Sequence, residues 1–516
     1  MEQVAKTADL PHRIHEVFLP WAISQSTRVA LTDADTTIRY GELSGIVDSA
    51  VDRLRQAGVR AGDRVLLVAE NSVALAVCIL AISRLDAWSA TVNARLSDRE
   101  IDNFLSHSGA RLALYFGATS PQARQHGLER GAQAQVWPGI GALLVGPVNA
   151  QTAAEPVETD PARQVAAMVY TSGTTGAPKA VMLTHANLIF VGNNNRMMRC
   201  LVPEDVIYGV LPLSHVYGLS ALLIAALMSG SALQLVPRFH AKDLARSLAE
   251  DGITVLHGAP AMYAKLLELG ANGTVLKAPR LRVAQSGGAP LTSSVKEGFE
   301  KVFGIVLQNG YGMTEASPSI CQTRLDAPRS DCSVGLAIPG IEVNLHGADD
   351  DAAGVGEIRV RGPNVMKGYY RAPDLTAEAV TQDGWLKTGD LARIEPDGAI
   401  FIVGRSKELI IRSGFNVYPI EVEQVINTYA NVVQSAVVGR EVPGNEEVVA
   451  FIEASDGATI DLDDLHGYLK NRLSPYKIPS EIIVLDHMPA AATGKILKKE
   501  LQQRAAARAT VGRTNP

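Results

Sequence analysis

Residues 170–180 read Tyr-Thr-Ser-Gly-Thr-Thr-Gly-Ala-Pro-Lys-Ala and follow the apolar run Val165, Ala166, Ala167, Met168, Val169. An apolar run that ends in hydroxyls, glycines and one lysine predicts a buried strand delivering a phosphate-gripping loop. The glycines let backbone N–H groups approach an anion, and the lysine adds charge. It is not a Walker loop, which needs Gly, four residues, then Gly-Lys-Ser/Thr. Here Gly173 and Gly176 lie closer together and Pro178 precedes Lys179. Standing alone, such composition most often means a flexible connector, so the surrounding chain has to decide.

Upstream, apolar positions recur at helical spacing over residues 40–54, and residues 64–69 read as a buried strand. A helix over 72–85, a strand over 89–92 and a helix capped by Ser97, with Glu100 three positions on, repeat the alternation. Such alternation predicts parallel strands with crossover helices. Residues 115–163, rich in Gly, Gln, Ala and Pro, carry no period that assigns them. Downstream, a helix from Asn187 and a strand over 206–211 lead to Pro-Leu-Ser-His-Val-Tyr-Gly at 212–218, and the apolar stretch 219–228 reads as a buried helix too short to cross a bilayer. Strands over 254–257, 281–285 and 305–308 end in glycine-bearing loops: Gly258 to Pro260, then Ser286-Gly287-Gly288-Ala289-Pro290, then Asn309-Gly310-Tyr311-Gly312-Met313-Thr314-Glu315. Loops so lacking in bulk let a ligand come close to the backbone.

Beyond Ser333 the texture changes to alternating runs separated by Asp-Gly and Pro-containing turns, which predicts an antiparallel β subdomain. The expected architecture is α/β: a large N-terminal domain of doubly wound parallel-type sheets over 1–404, with the β subdomain at about 333–404. A hinge at 405–407, a small mobile α/β domain over 408–501 and a disordered tail over 502–516 complete it.

A formal net charge of −6 with 20% charged residues offers no nucleic-acid surface, although a nucleotide needs only a local positive site. Cys78, Cys200, Cys321 and Cys332 have no zinc-type spacing and read as reduced thiols of a cytoplasmic protein. Glu2, Asp9, His12 and Glu16 precede any sustained apolar run, which is wrong for a signal peptide.

Taken together, the loop at 170–180, Tyr311 to Glu315, Trp-Leu-Lys-Thr-Gly-Asp at 385–390, the segment 407–423 and Thr-Gly-Lys at 493–495 resemble the adenylate-forming superfamily of acyl-CoA synthetases, adenylation domains and luciferases. Ala180 stands where that family usually has glycine. The resemblance covers residues 40–501 and implies that Thr171, Ser172, Gly173, Thr174, Thr175, Gly176 and Lys179 grip phosphate. It also implies that Gly288, Ala289, Asn309, Gly310, Gly312 and Met313 border the nucleotide. Tyr311 would pack on adenine, Thr314 bond the α-phosphate and Glu315 hold Mg²⁺, in keeping with a hard cation's preference for carboxylate oxygen. Asp390 would accept the ribose hydroxyls and Arg405 add a second ribose and phosphate contact. Lys407 occupies the hinge position, Gly414 would let a pantetheine arm pass, and Lys495 would be the catalytic lysine bridging carboxylate and α-phosphate. Isolated, each has a bland reading: a strand-to-helix turn at 311–315, a solvated Gly-Asp turn, a surface lysine.

The implied substrates and cofactors are ATP, Mg²⁺ and coenzyme A, with a small carboxylic acid activated as acyl-AMP. His215 and Tyr217 resemble the His-x-Tyr pair facing the acid in coumarate-type ligases; with Gly287, Gly288 and Met313 they would line the acyl site. Residues 211–220 contain no acid, which disfavours an amino-acid substrate. Small and apolar walls favour an uncharged acyl tail, fatty or aromatic, while Arg282 would face a second carboxylate if its strand turned inward. Two further readings stay open: an adenylating enzyme that serves a carrier protein, and a nucleotide sensor without catalysis.

Overall fold

The computed structural model describes residues 10–171, 179–348, 354–413, 415–443, 445–455, 457–490 and 496–511. Among these, the α/β alternation resolves into two large sheets. In one, the strands Leu307–Gly312, Val283–Ser286, Val255–Gly258, Val206–Gly209, Ala232–Leu235 and Val29–Thr32 run parallel in that order. Ser319–Gln322 and Leu336–Ala337 extend one edge antiparallel and Thr37–Arg39 the other. The second has a parallel centre of Val165–Thr171, Trp88–Asn93, Arg64–Ala69 and Leu112–Tyr115. Its edges are antiparallel, so the parallel expectation holds for both centres but not for the rims.

Local sequence explains the elements. Arg64–Ala69 is buried at every position, as a central parallel strand requires. Ser97 and Glu100 form the reciprocal capping box of helix Asp98–Ser108. The unassigned stretch supplies helix Pro121–Glu129 and an antiparallel pair, Gln133–Trp137 with Gly141–Val145. The largest apolar cluster joins the two sheets through the helix Val73–Arg84, apolar from Val73 to Ile82, and the segment Tyr217–Ile224. That segment is a π-helix whose eight residues are all buried, continued by the α-helix Ala225–Ser229. Wide turns of this kind recur beside functional sites.

Glu342–His346, Gly356–Arg361, Leu386–Ile394 and Ile400–Arg405 form the antiparallel four-stranded sheet expected after Ser333. Further on, Val432–Val442, Asn445–Ala454 and Glu481–Leu485 build a small sheet. Helices Pro419–Ile426 and Leu462–Lys470 cover one face of it. The other face carries the helix Lys498–Val511, which corrects the expectation of a disordered tail as far as residue 511. Leu501 and Ala505, four apart and so on one helix face, bury against Val449 and Phe451. So narrow a stripe in an Ala- and Arg-rich segment gives no periodic signal; 512–516 lie outside the described residues. No helix among the described residues is long and apolar enough to cross a membrane.

Candidate active site

The organising loop is the turn of an antiparallel hairpin. Thr171 ends the strand Val165–Thr171, Lys179 opens the strand Lys179–Thr184, and the two pair across the ladder. Ala180 is buried and pairs with Tyr170. Ser172, Gly173, Thr174, Thr175 and Gly176 lie outside the described residues, as do Gly414 and Lys495.

Strand Leu307–Gly312 begins parallel to Val283–Ser286, and its last residues turn antiparallel to Ser319–Gln322. Gly312 is required there, because a Cβ would lie 1.9 Å from the Pro318 carbonyl oxygen. Asn309 serves as a strut: its amide donates to the carbonyls of Cys332 and Ser333 at 3.1 Å each, and its Oδ1 accepts from the backbone N–H of Gly310. Met313 packs against the apolar core of the antiparallel subdomain.

Tyr311, Asp390 and Arg405 meet although far apart in sequence. The Tyr311 hydroxyl donates to Asp390 Oδ2 at 2.5 Å, and Arg405 Nε lies 2.9 Å from Asp390 Oδ1. Strand register sets the second contact, since Asp390 and Arg405 are direct partners in the ladder. Burial, and then the Asp390 charge, push the Tyr311 phenol well above its ordinary range, so it remains a donor.

Thr314 and Glu315, both buried, sit in the short turn Thr314–Ala316. Glu315 Oε1 accepts the Tyr369 hydroxyl at 2.8 Å, and the ammonium of Lys179 lies 5.4 Å from the centre of the Tyr369 ring. Tyr369 is fixed by the short strand Gly368–Tyr369, which pairs with Lys179–Thr184. Tyr369 therefore joins the foot of the loop to the Thr-Glu turn. The sequence reading missed it; the only signal was an aromatic pair in Gly-Tyr-Tyr-Arg, with no spacing to tie it to Glu315.

At the expected acyl end, half-buried His215 accepts the backbone N–H of Tyr217 at Nδ1, 3.2 Å away. Tyr217 is buried, and its hydroxyl lies 3.4 Å from Nδ1 of His257, with the rings edge to face. Gly287 makes room for that ring: a Cβ there would stand 3.1 Å from Tyr217 Cε1. Gly288 is exposed with φ +80°, and Ala289 beside it is half-buried. Arg282 does not face the acyl site. Its Nε donates to Asp205 Oδ1 at 2.8 Å and its Nη2 to the Cys200 carbonyl at 2.9 Å, so the inward-facing alternative is corrected.

Residues 20–370 match the model of the AMP-binding enzyme family, and residues 421–495 match that of the AMP-binding enzyme C-terminal domain. The chain belongs to the AMP-binding enzyme family. A feruloyl-CoA synthase from Amycolatopsis is 33% identical over 92% of this chain and 95% of its own length. A sulfoacetate–CoA ligase from Cupriavidus necator is 32% identical over 91% and 93%. The crystal structure of ATP-bound MatB from Rhodopseudomonas palustris superposes with a TM-score of 0.84 at 28% identity, covering 96% of this chain and 98% of that one.

This AMP-binding enzyme carries one further constellation, near its expected hinge. Lys407 lies in the turn Ser406–Glu408. The side chain of the next residue, Glu408, lies 3.0 Å from Lys498 Nζ, which is also 2.8 Å from Glu423 Oε1. Burial opposes the Lys498 charge, but the two carboxylates outweigh it and raise its pKa. The residue after the hinge is thereby tied to the start of the last helix, three positions beyond Lys495.

Proposed function

We propose that this AMP-binding enzyme is an acid–CoA ligase that consumes ATP, forms an acyl-AMP and releases AMP and pyrophosphate. The observation that carries the reading is the joining of the Tyr311–Asp390–Arg405 cluster to the Lys179–Tyr369–Glu315 cluster through one short segment, residues 311–315. The first suits adenine and ribose, the second polyphosphate with its counter-ion. The two curated relatives differ in the acid their names give, one aromatic and one a short sulfonate, so they support the reaction and not one acid.

A carboxylate does not acylate a thiol directly, because oxide is a poor leaving group. Attack of the carboxylate on the α-phosphorus expels pyrophosphate and makes AMP the leaving group, and the CoA thiolate then takes the acyl carbonyl. Positioning and electrostatics supply most of the first step. Asp390 and Arg405 hold the ribose, Tyr311 backs the base, and Thr171, Thr314, Lys179 and the loop residues 172–176 meet the phosphates. Glu315 fits a divalent cation: its carboxylate is buried and Tyr369 orients one oxygen. Among the described residues no lysine or arginine forms an ion pair with it. Mg²⁺ held there would offset the polyphosphate charge.

Lys495 meets the developing charge on the α-phosphate, then has to leave the path of the thiol. The C-terminal domain therefore swings about Lys407 and brings the Gly414 face, which passes the pantetheine arm, to the acyl-AMP. Four free cysteines suit a reducing, cytoplasmic setting. The test is pyrophosphate release with ATP and Mg²⁺ over short, long, aromatic and dicarboxylic acids, with and without CoA, alongside thiol loss. Matched pyrophosphate release and thiol loss are expected; pyrophosphate without thiol loss would transfer the acyl group to a carrier protein instead. Lys495→Ala is expected to abolish adenylate formation yet spare thioester formation from supplied acyl-AMP, and equal loss in both would refute the swing.

A further inference from the structure

Arg199 caps the helix His185–Met198 and is completely enclosed. Its Nε donates to Gln285 Oε1 at 2.6 Å, Nη1 to the Thr323 carbonyl at 2.9 Å and Nη2 to Gln322 Oε1 at 2.9 Å. All three acceptors are neutral. A guanidinium has five N–H donors, so two are unmatched among the described residues, where no carboxylate pairs with this charge. Burial without a compensating acid brings its pKa down to about 10. An enclosed cation with no carboxylate partner is costly to keep.

The position of this charge is informative. Gln285 lies two residues before Gly287 and is the direct partner of His257 across adjacent parallel strands, so both side chains leave the same face of the sheet. Tyr217 touches His257 on that face. Nε2 of His257 is fully buried and has no partner among the described residues; when the Tyr217 hydroxyl donates to Nδ1, it is Nε2 that carries the imidazole proton. Arg199, through its bond to Gln285, and His257, the strand partner of Gln285, thus put a net positive charge and buried N–H donors on the sheet face behind Tyr217. A hydroxyl would satisfy the imidazole alone; an oxyanion satisfies both.

We propose that the acyl site accepts an acid bearing a second anionic group, a carboxylate or a sulfonate, at its far end, held behind Tyr217 by Arg199 and His257 Nε2. This rests on the ligase reading above and replaces the expectation of an uncharged acyl tail. The anion enters when the Tyr217 ring turns from His257, breaking their 3.4 Å hydrogen bond.

The experiment measures pyrophosphate release with ATP, Mg²⁺ and CoA for matched pairs. These are butanedioate through decanedioate against the corresponding monoacids, and terephthalate and 4-sulfobenzoate against 4-methylbenzoate. The expected result is a preference for the best dianionic acid of about 100-fold in kcat/KM over its matched partner, since a buried donor set left unpaired rejects the analogue lacking its acceptor. Arg199→Met is expected to collapse that ratio toward one, with Arg199→Lys restoring part of it. His257→Phe, which keeps ring volume and spares the buried charge, is expected to lower it about tenfold. Neutral acids turned over as well as or better than their dianionic partners would overturn this inference while leaving the ligase intact. Silence across the panel would overturn the ligase reading and this inference with it.

Discussion

Asp390→Asn tests the nucleotide end of the site with almost no change of shape. The carboxylate accepts on both oxygens, from Tyr311 at 2.5 Å and from Arg405 at 2.9 Å. An amide has one acceptor oxygen, so its NH₂ must face one of those donors. The Tyr311 bond is buried and charge-assisted, and replacing it with a neutral one costs about 1 kcal/mol. The Arg405 side chain is 46% exposed, so water replaces much of its ion pair and that loss is about 0.5 kcal/mol. Folding stability therefore falls by about 1.5 kcal/mol, about 1–2 °C in Tm for a chain of this size. The ribose loses a charged acceptor as well. That contact is worth about 1.5–3 kcal/mol, or roughly 10- to 100-fold in the KM for ATP. Pyrophosphate exchange over an ATP titration, run beside thermal melts, separates the two effects. A melting point that falls as expected with an ATP KM within about threefold of the parent would refute the ribose role and leave a structural latch.

At the acyl end, Gly287→Ala places a methyl 3.1 Å from the Tyr217 ring, without strain in the backbone. We expect the KM for the acid to rise about tenfold, as overpacking by one methyl costs about 1–2 kcal/mol, while the KM for ATP stays put; an acid titration at saturating ATP reads it. Stability should also fall in acid. His257 is held neutral down to about 3, by burial and then by Arg199, and His185 well below its ordinary range, mainly by burial. Their folded pKa values lie below the unfolded value near 6.5, so the unfolded chain binds more protons in that window. Their contribution is complete above pH 6.5 and is lost as pH falls from there toward 3, by up to about 1.4 kcal/mol per pH unit for each ring. Melts from pH 8 to 4 should show the decline, and His257→Phe should make it shallower.

Much of this fold was legible because it rests on local rules. Arg64–Ala69 announced itself as a run without a polar partner face and Asp98–Ser108 by its capping box. What escaped was settled by distant partners. Gln133–Trp137 is a strand with four exposed positions, stabilised by its antiparallel neighbour and not by a buried face of its own. Tyr369 matters because a short edge strand carries it to Glu315, and Arg199 because the helix end bearing it lies over Gln285. No period or cap encodes such contacts. The tail helix was hidden for the opposite reason: two small apolar residues suffice when the sheet beneath supplies the rest of the surface.

The ladder that pairs Asp390 with Arg405 would also limit the proposed domain motion. Arg405 ends its strand in register with Asp390, and Lys407 follows two residues later. The proposed rotation at Lys407 would therefore begin just beyond the last paired residues and leave Asp390 and Arg405 in place. On the other side of the proposed hinge, Glu408 and Glu423 grip Lys498, so the residue after the pivot and the segment just past Lys495 would turn as one body. A flexible tether would deliver Lys495 with a spread of positions and lose most of the advantage of orientation, which depends on placement within about an ångström. A stiff arm pivoting beside a fixed nucleotide, as proposed, would keep that advantage in adenylation and withdraw the lysine for thiol attack.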